Sequence, residues 1–467
     1  MKIEQIYTGC LAQGAYYIES EGEAVIIDPL REIKPYVDKA ARNRAKIKYV
    51  LETHFHADFV SGHVDLARAT GARIVYGPGA RPSFDAHIAT DGEVIRIGKV
   101  SFLALHTPGH TMESTCYLLR DENGKDVALF TGDTLFIGDV GRPDLAQNES
   151  LTQEDLAAYL YDSLRNKIMP LADDIIVYPA HGAGSACGKN MARETSDTLG
   201  HQKQTNYALR AVSKEQFIRE VTEGLLPPPG YFPQNVRMNR EGYDSIDTVL
   251  ERGCQPLNPD DFEAVANETG ALILDTRSPK TFAQGFIPNA INIGLDGSFA
   301  PWVGALIPDI RQEILIVADS GRETEVVTRL ARVGYDYSIG YLRGGIAAWQ
   351  EAGKEIDRIA SADTDELAEA LTKKPVVLDV RRREEFASGH LEGAINVPLD
   401  YLNEHMHAID SSRPHYVYCA SGYRSMVFIS ILKARGYDNL IDVTNGYKGI
   451  RSSKRLRLTD AAVPSGT

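Results

Sequence analysis

Three scarcities limit what this chain can be. Its 467 residues include only five cysteines, an odd number scattered along the chain, whereas disulfide-stapled secreted domains carry dense, paired cysteines. No apolar run approaches the ~20 residues that span a bilayer. Positive charge is also in deficit, since 50 Lys and Arg stand against 64 Asp and Glu, a formal net charge of −14. These features exclude a disulfide framework and a membrane-spanning helix, and they argue against binding to nucleic acid or anionic membranes.

The N-terminus lacks the uninterrupted apolar core of a signal peptide, because Glu4 and Gln5 stand where that core would be. We therefore expect a cytoplasmic protein. The length predicts about three domains. Hydrophobic residues at 43% and charged residues at 24% are typical of globular proteins with real cores.

Short apolar runs alternate with helical patterns through the first 180 residues, which predicts a strand-rich α/β domain. Leu226 to Asn235 carries four prolines around a glycine and predicts the end of this domain. We place the first domain at 1–235 and a linker at 236–254.

An internal repeat follows. The segment that starts at Leu274 aligns without a gap with the segment that starts at Leu378, 104 residues later, and the two have identical residues at eleven positions. Each copy continues with a second strand, a helix and a Gly-Tyr-Asp turn. The repeat predicts two tandem α/β domains, at 255–358 and 361–467.

Potential metal ligands follow four of the strands predicted in the first domain. His54, His56 and Asp58 come after the strand at 49–51, while His110, Asp133 and His181 each follow a later strand. Functional sites of α/β sheets lie at the carboxyl ends of strands, so one rim is expected to collect these side chains.

This pattern, HxHxD … GH … GD … AH, resembles the metallo-β-lactamase fold over residues 1–235, which implies an αββα sandwich. Glyoxalase II, a dinuclear zinc hydrolase of that superfamily, has a histidine where this chain has Phe59. Without that imidazole the second metal has too few strong ligands, so a mononuclear site is expected.

The spacing resembles the persulfide dioxygenase branch of the superfamily. His110 follows His54 by 56 residues, and Asp133 follows His110 by 23. The resemblance implies one Fe(II) per chain, held by His54, His110 and Asp133, with zinc as the alternative metal. Three ligands on one face leave coordination positions open for substrate sulfur and O₂. His56, Asp58 and His181 then orient the ligands or serve as optional ones.

Three further residues are candidates for substrate contact in the first domain. Arg142, in a Gly-Arg-Pro-Asp turn, either contacts substrate or staples loops by a salt bridge. Cys187 lies in a Gly-rich loop six residues after His181, where a thiolate activated by Lys189 could relay sulfur. A buried structural cysteine is the alternative reading.

In the last domain, the loop CASGYRS places Cys419 between a strand and a helix. Such a loop aims backbone N–H groups inward, and the helix N-terminus adds partial positive charge, so a thiolate or persulfide is stabilised. Arg424 is expected to complete the anion pocket. With Leu378 to Arg381 and the Gly-His-Leu segment at 389–391, the loop resembles a rhodanese sulfurtransferase.

The earlier repeat lacks this nucleophile. Ala318 or Asp319 takes the place of Cys419, and Glu323 stands where Arg424 does, so an anionic sulfur species would be repelled. We interpret residues 255–358 as a rhodanese-like domain without sulfur-transfer activity, which we call the silent repeat. The following copy, 361–467, is the active repeat.

Together the motifs resemble the fused persulfide dioxygenase–sulfurtransferases. The resemblance implies oxidation of a glutathione, coenzyme A or similar persulfide with O₂ to sulfite, coupled to sulfane-sulfur transfer with thiosulfate at Cys419, in sulfide detoxification. A homo-oligomer is expected, with no nucleic-acid or membrane partner. Two alternatives stay open: a glyoxalase II-like zinc thioester hydrolase fused to a rhodanese, and a sulfur-carrier adaptor.

Overall fold

In the computed structural model, which describes residues 1–147, 150–406, 409–410 and 412–459, the apolar runs of the first 180 residues pair into two sheets. The chain divides into two compact units. The first comprises Met1–Thr248 with Leu330–Tyr335, and the second comprises Val249–Arg329 and the described residues from Asp336 onward.

The first sheet is made of β1 (Lys2–Thr8), β2 (Gln13–Ser20), β3 (Glu23–Ile27), β4 (Lys46–Leu51), β5 (Arg73–Tyr76) and β6 (His87–Ile88). These strands stand in sequence order. The strands β1 to β3 form an antiparallel meander, and β3 to β6 run parallel. Parallel pairing places the carboxyl ends of β3, β4 and β5 at one edge.

The second sheet is made of β7 (Val94–Ile97), β8 (Val100–His106), β9 (Thr115–Arg120), β10 (Asp126–Gly132), β11 (Ile176–Pro179) and β12 (Asp197–Thr198). They stand in the order β12-β11-β10-β9-β8-β7. Only the β10–β11 pair is parallel among the pairs recorded in this sheet.

Helices cover the outer faces of the two sheets. Their bounds are α1 (Lys34–Asn43), α2 (His63–Thr70), α3 (Gln153–Ser163), α4 (Leu199–Thr205), α5 (Tyr207–Arg210), α6 (Lys214–Thr222) and α7 (Phe232–Glu241), with a π-helical turn at Leu164–Ile168 after α3.

Three apolar layers give the first unit its architecture. Alternating residues of both sheets, among them Tyr16, Phe102 and Phe130, form the central core. The opposite face of the first sheet packs on α1 and α2, and that of the second sheet packs on α3, α5 and α6. The order of layers is therefore αββα, and the predicted fold class is confirmed.

The second unit holds two parallel sheets of the same design. The silent repeat supplies β13 (Pro256–Leu257), β14 (Leu272–Asp275), β15 (Ile291–Asn292), β16 (Ile314–Val317) and β17 (Ser338–Leu342), in the order β13-β17-β16-β14-β15. The active repeat supplies β18 (Ala360–Ala362), β19 (Val376–Asp379), β20 (Ile395–Asn396), β21 (His415–Tyr418) and β22 (Leu440–Val443), in the order β18-β22-β21-β19-β20.

The remaining helices begin with α8 (Ile246–Gly253). The silent repeat has α9 (Pro259–Thr269), α10 (Pro279–Gln284), α11 (Phe299–Leu306), α12 (Glu323–Ala331) and α13 (Gly345–Glu351), and the active repeat has α14 (Thr364–Ala370), α15 (Arg383–Ala387), α16 (Leu402–His405), α17 (Tyr423–Ala434) and α18 (Gly446–Ser452), with 3₁₀ turns at Leu371–Lys373 and Leu399–Tyr401. In the described ranges, no helix is long and apolar enough to cross a membrane.

The two repeats share a buried frame. In the silent repeat, Arg277 donates to the Asp275 carboxylate and to the carbonyl of Gly285. The same bonds join Arg381, Asp379 and the carbonyl of Gly389 in the active repeat. The sequence repeat is therefore also a repeat of structure.

The predicted linker differs from the structure. The segment 236–254 contains the end of α7 and the whole of α8. Pro233 does not prevent the formation of α7, because it lies in the first turn of this helix. Backbone N–H groups in the first turn have no hydrogen-bond partner within the helix, so the N–H that proline lacks costs no bond.

Candidate functional site

Three buried side chains converge at one rim of the αββα unit. His54 follows β4, His110 follows β8 and Asp133 directly follows β10. The Asp133 Oδ2 atom lies 3.8 Å from His54 Nε2 and 3.4 Å from His110 Nε2. One ligand atom from each side chain falls within 4.8 Å of the other two. The structure thus brings the three predicted iron ligands together.

Hydrogen bonds at Nδ1 direct the Nε2 atom of each histidine toward this cluster. The Thr53 hydroxyl donates to Asp28 and accepts from His54 Nδ1, at 2.8 and 2.9 Å. His110 Nδ1 donates to the carbonyl of Arg142 at 2.9 Å. A carbonyl can only accept, so the lone pair of His110 is on Nε2, the atom that faces Asp133.

The donor set fits a divalent cation. Burial lowers the pKa of His54 well below its ordinary value, so this ring is a neutral ligand. Burial raises the pKa of Asp133, but the charge of His181 and its hydrogen bond to Asp133 are the largest of the contributions that outweigh burial and lower it, which keeps the carboxylate ionised. The buried Asp133 Oδ2 also has no hydrogen-bond partner. An unpartnered anionic oxygen between two imidazole nitrogens suits a bound metal.

His181 lies beside this cluster and bridges two carboxylates. Its Nδ1 is 2.7 Å from Asp133 Oδ1, and its Nε2 is 2.8 Å from Asp58 Oδ2. Burial lowers the pKa of His181, yet Asp133 and Asp58 together raise it well above its ordinary value. In this arrangement His181 orients Asp133. Cys187 joins Asp58 and His181 in a second group of three potential ligands.

His56 is not part of the group formed by His54, His110 and Asp133. Its Nε2 lies 3.1 Å from Asp28 Oδ1 and 3.7 Å from Glu52 Oε2, in the interior behind His54. The ring of Phe59 packs 4.4 Å from the His56 ring and 6.4 Å from the His181 ring, measured between centroids. Phe59 therefore places a buried hydrocarbon ring between two of the optional ligands.

Sequence reasoning missed Asn239. This fully buried residue of α7 donates through Nδ2 to the carbonyls of His56 and Phe59, at 2.8 Å each, and accepts from the Ser61 N–H at 2.8 Å. It therefore holds the loop that carries the HxHxD motif. The spacing of Phe232, Asn235 and Asn239 places them on one face of a helix, which is a pattern visible in the sequence. Two of the three residues are polar, however, so the pattern does not predict that this face is buried.

The Arg142 side chain staples loops. Its Nε and Nη2 donate to the two carboxylate oxygens of Asp144, at 2.6 Å each, and Nη2 also reaches the Leu226 carbonyl. The guanidinium is buried, so the salt-bridge alternative describes it. Its backbone carbonyl supports the site through His110.

Lys189 does not activate Cys187, which corrects the prediction. The Lys189 ammonium donates to the carbonyls of Glu220 and Glu223. Burial, followed by the negative charges of Asp58 and Asp133, raises the pKa of the Cys187 thiol well above its ordinary value. The charges nearest this thiol therefore oppose a thiolate.

In the second unit, Cys419 follows β21 and its loop leads into α17. The Gly422 N–H donates to Cys419 Sγ at 3.2 Å, and Gly422 adopts φ +104°, a conformation that favours glycine. At the start of α18, the N–H groups of Tyr447 and Lys448 donate to the carbonyls of Cys419 and Ala420. Because these two bonds hold the carbonyls of Cys419 and Ala420 against α18, the N–H groups of the loop can bind an anion at Cys419.

Two side-chain contacts support this loop from within the active repeat. The Ser425 hydroxyl donates to Asp442 Oδ1 at 2.7 Å. Arg424 donates through both Nη atoms to the Glu385 carboxylate, at 2.6 and 2.8 Å. The predicted pocket arginine is therefore held by a carboxylate beside the loop.

The silent repeat has a different loop on the same frame. β16 ends at Val317 and β21 ends at Tyr418, so Ala318 is the counterpart of Cys419. Arg322, in that loop, donates to the Asp296 carboxylate at 2.9 and 2.8 Å. No thiol or free guanidinium is available in the described residues of this loop.

Comparison with known proteins agrees with this division. The metallo-beta-lactamase superfamily matches residues 8–181, and the rhodanese-like domain matches residues 258–352 and 363–453. The mitochondrial persulfide dioxygenase ETHE1 of Homo sapiens is 31% identical over 210 residues, which are 44% of this chain and 74% of that protein.

Two other similarities include the first domain. A probable hydroxyacylglutathione hydrolase of Schizosaccharomyces pombe is 29% identical over 220 residues, 42% of this chain and 81% of that protein. The crystal structure of a metallo-beta-lactamase from Staphylococcus aureus has a TM-score of 0.64 at 31% identity, over 73% of this chain and 98% of that one. The chain belongs to the metallo-β-lactamase superfamily and carries two rhodanese-like domains after its first domain, the architecture of the fused persulfide dioxygenase–sulfurtransferases.

Proposed function

We propose that this chain is a non-haem iron persulfide dioxygenase joined to a sulfurtransferase, which acts on a low-molecular-weight thiol persulfide in sulfide detoxification. The observation that carries the proposal is the buried group of His54, His110 and Asp133 in one chain with the Cys419 loop. The Phe59 ring, which packs against the rings of His56 and His181, takes the place of a further metal ligand. Two histidines and one carboxylate form the ligand set of mononuclear iron oxygenases.

The first reaction is RSSH + O₂ + H₂O → RSH + SO₃²⁻ + 2H⁺, in which sulfane sulfur is oxidised and O₂ is reduced. Iron, when bound, supplies the redox chemistry. The chain keeps two imidazoles and one carboxylate in place through Thr53, Arg142 and His181. Cys187 lies beside Asp58 and His181, and in this proposal its sulfur contacts the substrate sulfur.

The second reaction takes place at Cys419. Its sulfur attacks the outer sulfur of thiosulfate, the S–S bond of thiosulfate breaks, and sulfite leaves with the bonding electrons. A thiol then takes the sulfane sulfur from Cys419 and becomes the persulfide RSSH. The Gly422 N–H donates to Cys419 Sγ, so it can stabilise the sulfur anion between the two steps.

The test is O₂ uptake by anaerobically purified, iron-loaded protein given glutathione persulfide or coenzyme A persulfide. We expect persulfide-dependent uptake with one iron per chain and sulfite as product. Cys419→Ser is expected to abolish sulfur transfer from thiosulfate and to keep O₂ uptake. Iron-loaded protein that consumes no O₂ with either persulfide would refute the proposal.

A second candidate is a zinc thioester hydrolase, which the hydroxyacylglutathione hydrolase relatives favour. Zinc would then activate water for attack on a thioester. Metal analysis with a thioester hydrolysis assay separates the two functions, since zinc with rapid thioester cleavage would support the hydrolase. The adaptor alternative predicts no steady-state turnover by the purified chain alone.

A further inference from the structure

Tyr423 connects the Cys419 loop to the silent repeat. It is the first residue of α17, directly after Gly422, whose N–H donates to Cys419 Sγ. The Tyr423 hydroxyl donates to the carbonyl of Gly294, in the silent repeat, at 2.7 Å. Burial raises the pKa of Tyr423, so the hydroxyl stays protonated and keeps this donor role.

Two glycines of the silent repeat make room for this ring. A Cβ atom at Gly294 would lie 3.2 Å from Tyr423 Cε2, and one at Gly297 would lie 2.6 Å from the same atom. Neither glycine has a positive φ, so contact with the ring, and not backbone conformation, excludes a side chain at Gly297. At the aligned positions, 104 residues later, the active repeat has Pro398 and Tyr401.

A second contact lies on the same face of α17. Ser430 follows Tyr423 by seven residues, about two helical turns. Its hydroxyl accepts from the N–H of Asn292 at 2.9 Å, and both residues are fully buried. The silent repeat therefore holds α17 at its first residue and again two turns later.

We propose that the silent repeat is a structural part of the Cys419 site, and that Tyr423 is the positioning residue through which it fixes the Gly422 N–H against Cys419 Sγ. The silent repeat lost its own nucleophile, but it completes the site of its neighbour. The inference gives the silent repeat a role within the proposed sulfur transfer and rests on that function only for its activity readout.

The test introduces a methyl group on the silent repeat and measures Cys419 on the active one. In full-length protein, Gly297→Ala is expected to displace the Tyr423 ring and loosen the start of α17. Site-specific alkylation of Cys419 by iodoacetamide, followed by mass spectrometry across pH, is expected to slow about tenfold at neutral pH, with its midpoint moved about one unit higher. Alkylation of Cys10 and Cys254 in the same samples serves as the internal reference.

Two further variants keep the test decisive. Tyr423→Phe removes only the hydroxyl and is expected to slow alkylation about two- to threefold. In a Tyr423→Ala background, adding Gly297→Ala is expected to change nothing more, since the methyl group then meets no ring. Gly285→Ala is the matched control, because its Cβ would meet only the ends of the Ile356 and Gln350 side chains, at 3.2 and 3.5 Å.

Unchanged Cys419 alkylation in folded Gly297→Ala protein would overturn the proposal, and so would effects that multiply in the double variant. Sulfur transfer from thiosulfate is measured in parallel, where kcat is expected to fall with the alkylation rate. A parent protein without any sulfur transfer would refute the proposed function, while the alkylation series would still decide the role of Tyr423.

Discussion

Asp442, which supports the Cys419 loop through Ser425, connects stability with pH. Burial raises its pKa to about 6. The unfolded chain releases this proton near pH 4, so between about pH 4 and 6 the folded state holds one proton more, and the free energy of unfolding falls as pH rises. Above pH 6 the burial of the charge costs up to about 3 kcal/mol.

Asp442→Asn removes that charge and keeps an acceptor for Ser425. We expect the variant to be more stable than the parent at pH 7.5, by about 1–3 kcal/mol, and no more stable at pH 4. Denaturant titrations at the two pH values measure the difference. Asp438→Asn, on an exposed side chain, is the control. An equal gain at both pH values would contradict the account.

The role of Cys187 is decided by replacing sulfur with oxygen. Cys187→Ser keeps the size of the side chain, so we expect unchanged iron content. A hydroxyl does not replace the proposed contact of the Cys187 sulfur with the substrate sulfur, so we expect O₂ uptake to fall by about tenfold or more. Cys116→Ser is the matched control, because Cys116 is also fully buried but bonds to Thr107 and the carbonyl of Thr131. Parent-like O₂ uptake by Cys187→Ser would assign Cys187 a structural role.

The residues that sequence could predict are those that follow strands in a short motif. His54, His110, Asp133 and Cys419 all belong to this class, since strand ends and turn residues locate them without knowledge of tertiary contacts. Asn239 could not be predicted, because its role depends on contacts with residues 178 to 183 positions away. The predicted role of Lys189 is wrong because it rests on nearness in sequence to Cys187, whereas the Lys189 ammonium donates to the carbonyls of Glu220 and Glu223.

At the scale of elements, α3 supports the loop that carries His110. Ser163 of α3 donates to the carbonyl of Pro108 at 2.7 Å. Gly109 adopts φ +145°, and a Cβ there would lie 2.4 Å from the backbone of Leu160 in α3. Only glycine allows this close approach of turn and helix.

Gly109→Ala is therefore expected to displace His110, to lower metal content below half of the parent value, and to destabilise the first unit by more than about 3 kcal/mol. Metal analysis and denaturant unfolding measure both effects. Gly124→Ala is the control, because Gly124 has φ +80° with no atom near its Cβ position. That variant should cost about 1 kcal/mol and keep its metal. Normal metal content in Gly109→Ala would refute this role of α3.

The helix α7 shows where reading elements from sequence fails. The three prolines before it and Pro233 in its first turn predict a chain break, and the break is real, yet the next residues form a helix that packs behind the HxHxD loop. Proline restricts the backbone conformation of the residues next to it. It does not indicate which part of the protein the following helix packs against, because that contact exists only in the tertiary structure.

At the scale of the whole molecule, the groups of potential metal ligands found among the described residues all lie in the first unit, so we expect metal binding and folding to be linked there. The three ligands follow strands of both its sheets, so the site exists only when the sandwich is assembled. A metal present at 100 times its dissociation constant stabilises such a unit by about 2.7 kcal/mol.

Anaerobic chelation is expected to lower the melting temperature of the first unit by about 5–10 °C and to leave that of the second unit in place. Differential scanning calorimetry with and without chelator measures this, and Asp133→Asn is expected to abolish the response. A response of equal size in the Asp133→Asn variant would show that the cation binds elsewhere.

The shared frame of the two repeats matters beyond the native reaction. In both repeats one buried arginine joins a buried aspartate at the end of a strand to the carbonyl of the glycine that follows the next helix. The chain thus carries one copy of the fold with a cysteine after its central strand and one copy with Ala318 there. For protein engineering, the silent repeat offers a loop, residues 318–324, that can be replaced by a loop with a reactive side chain while the Asp275–Arg277 frame stays unchanged.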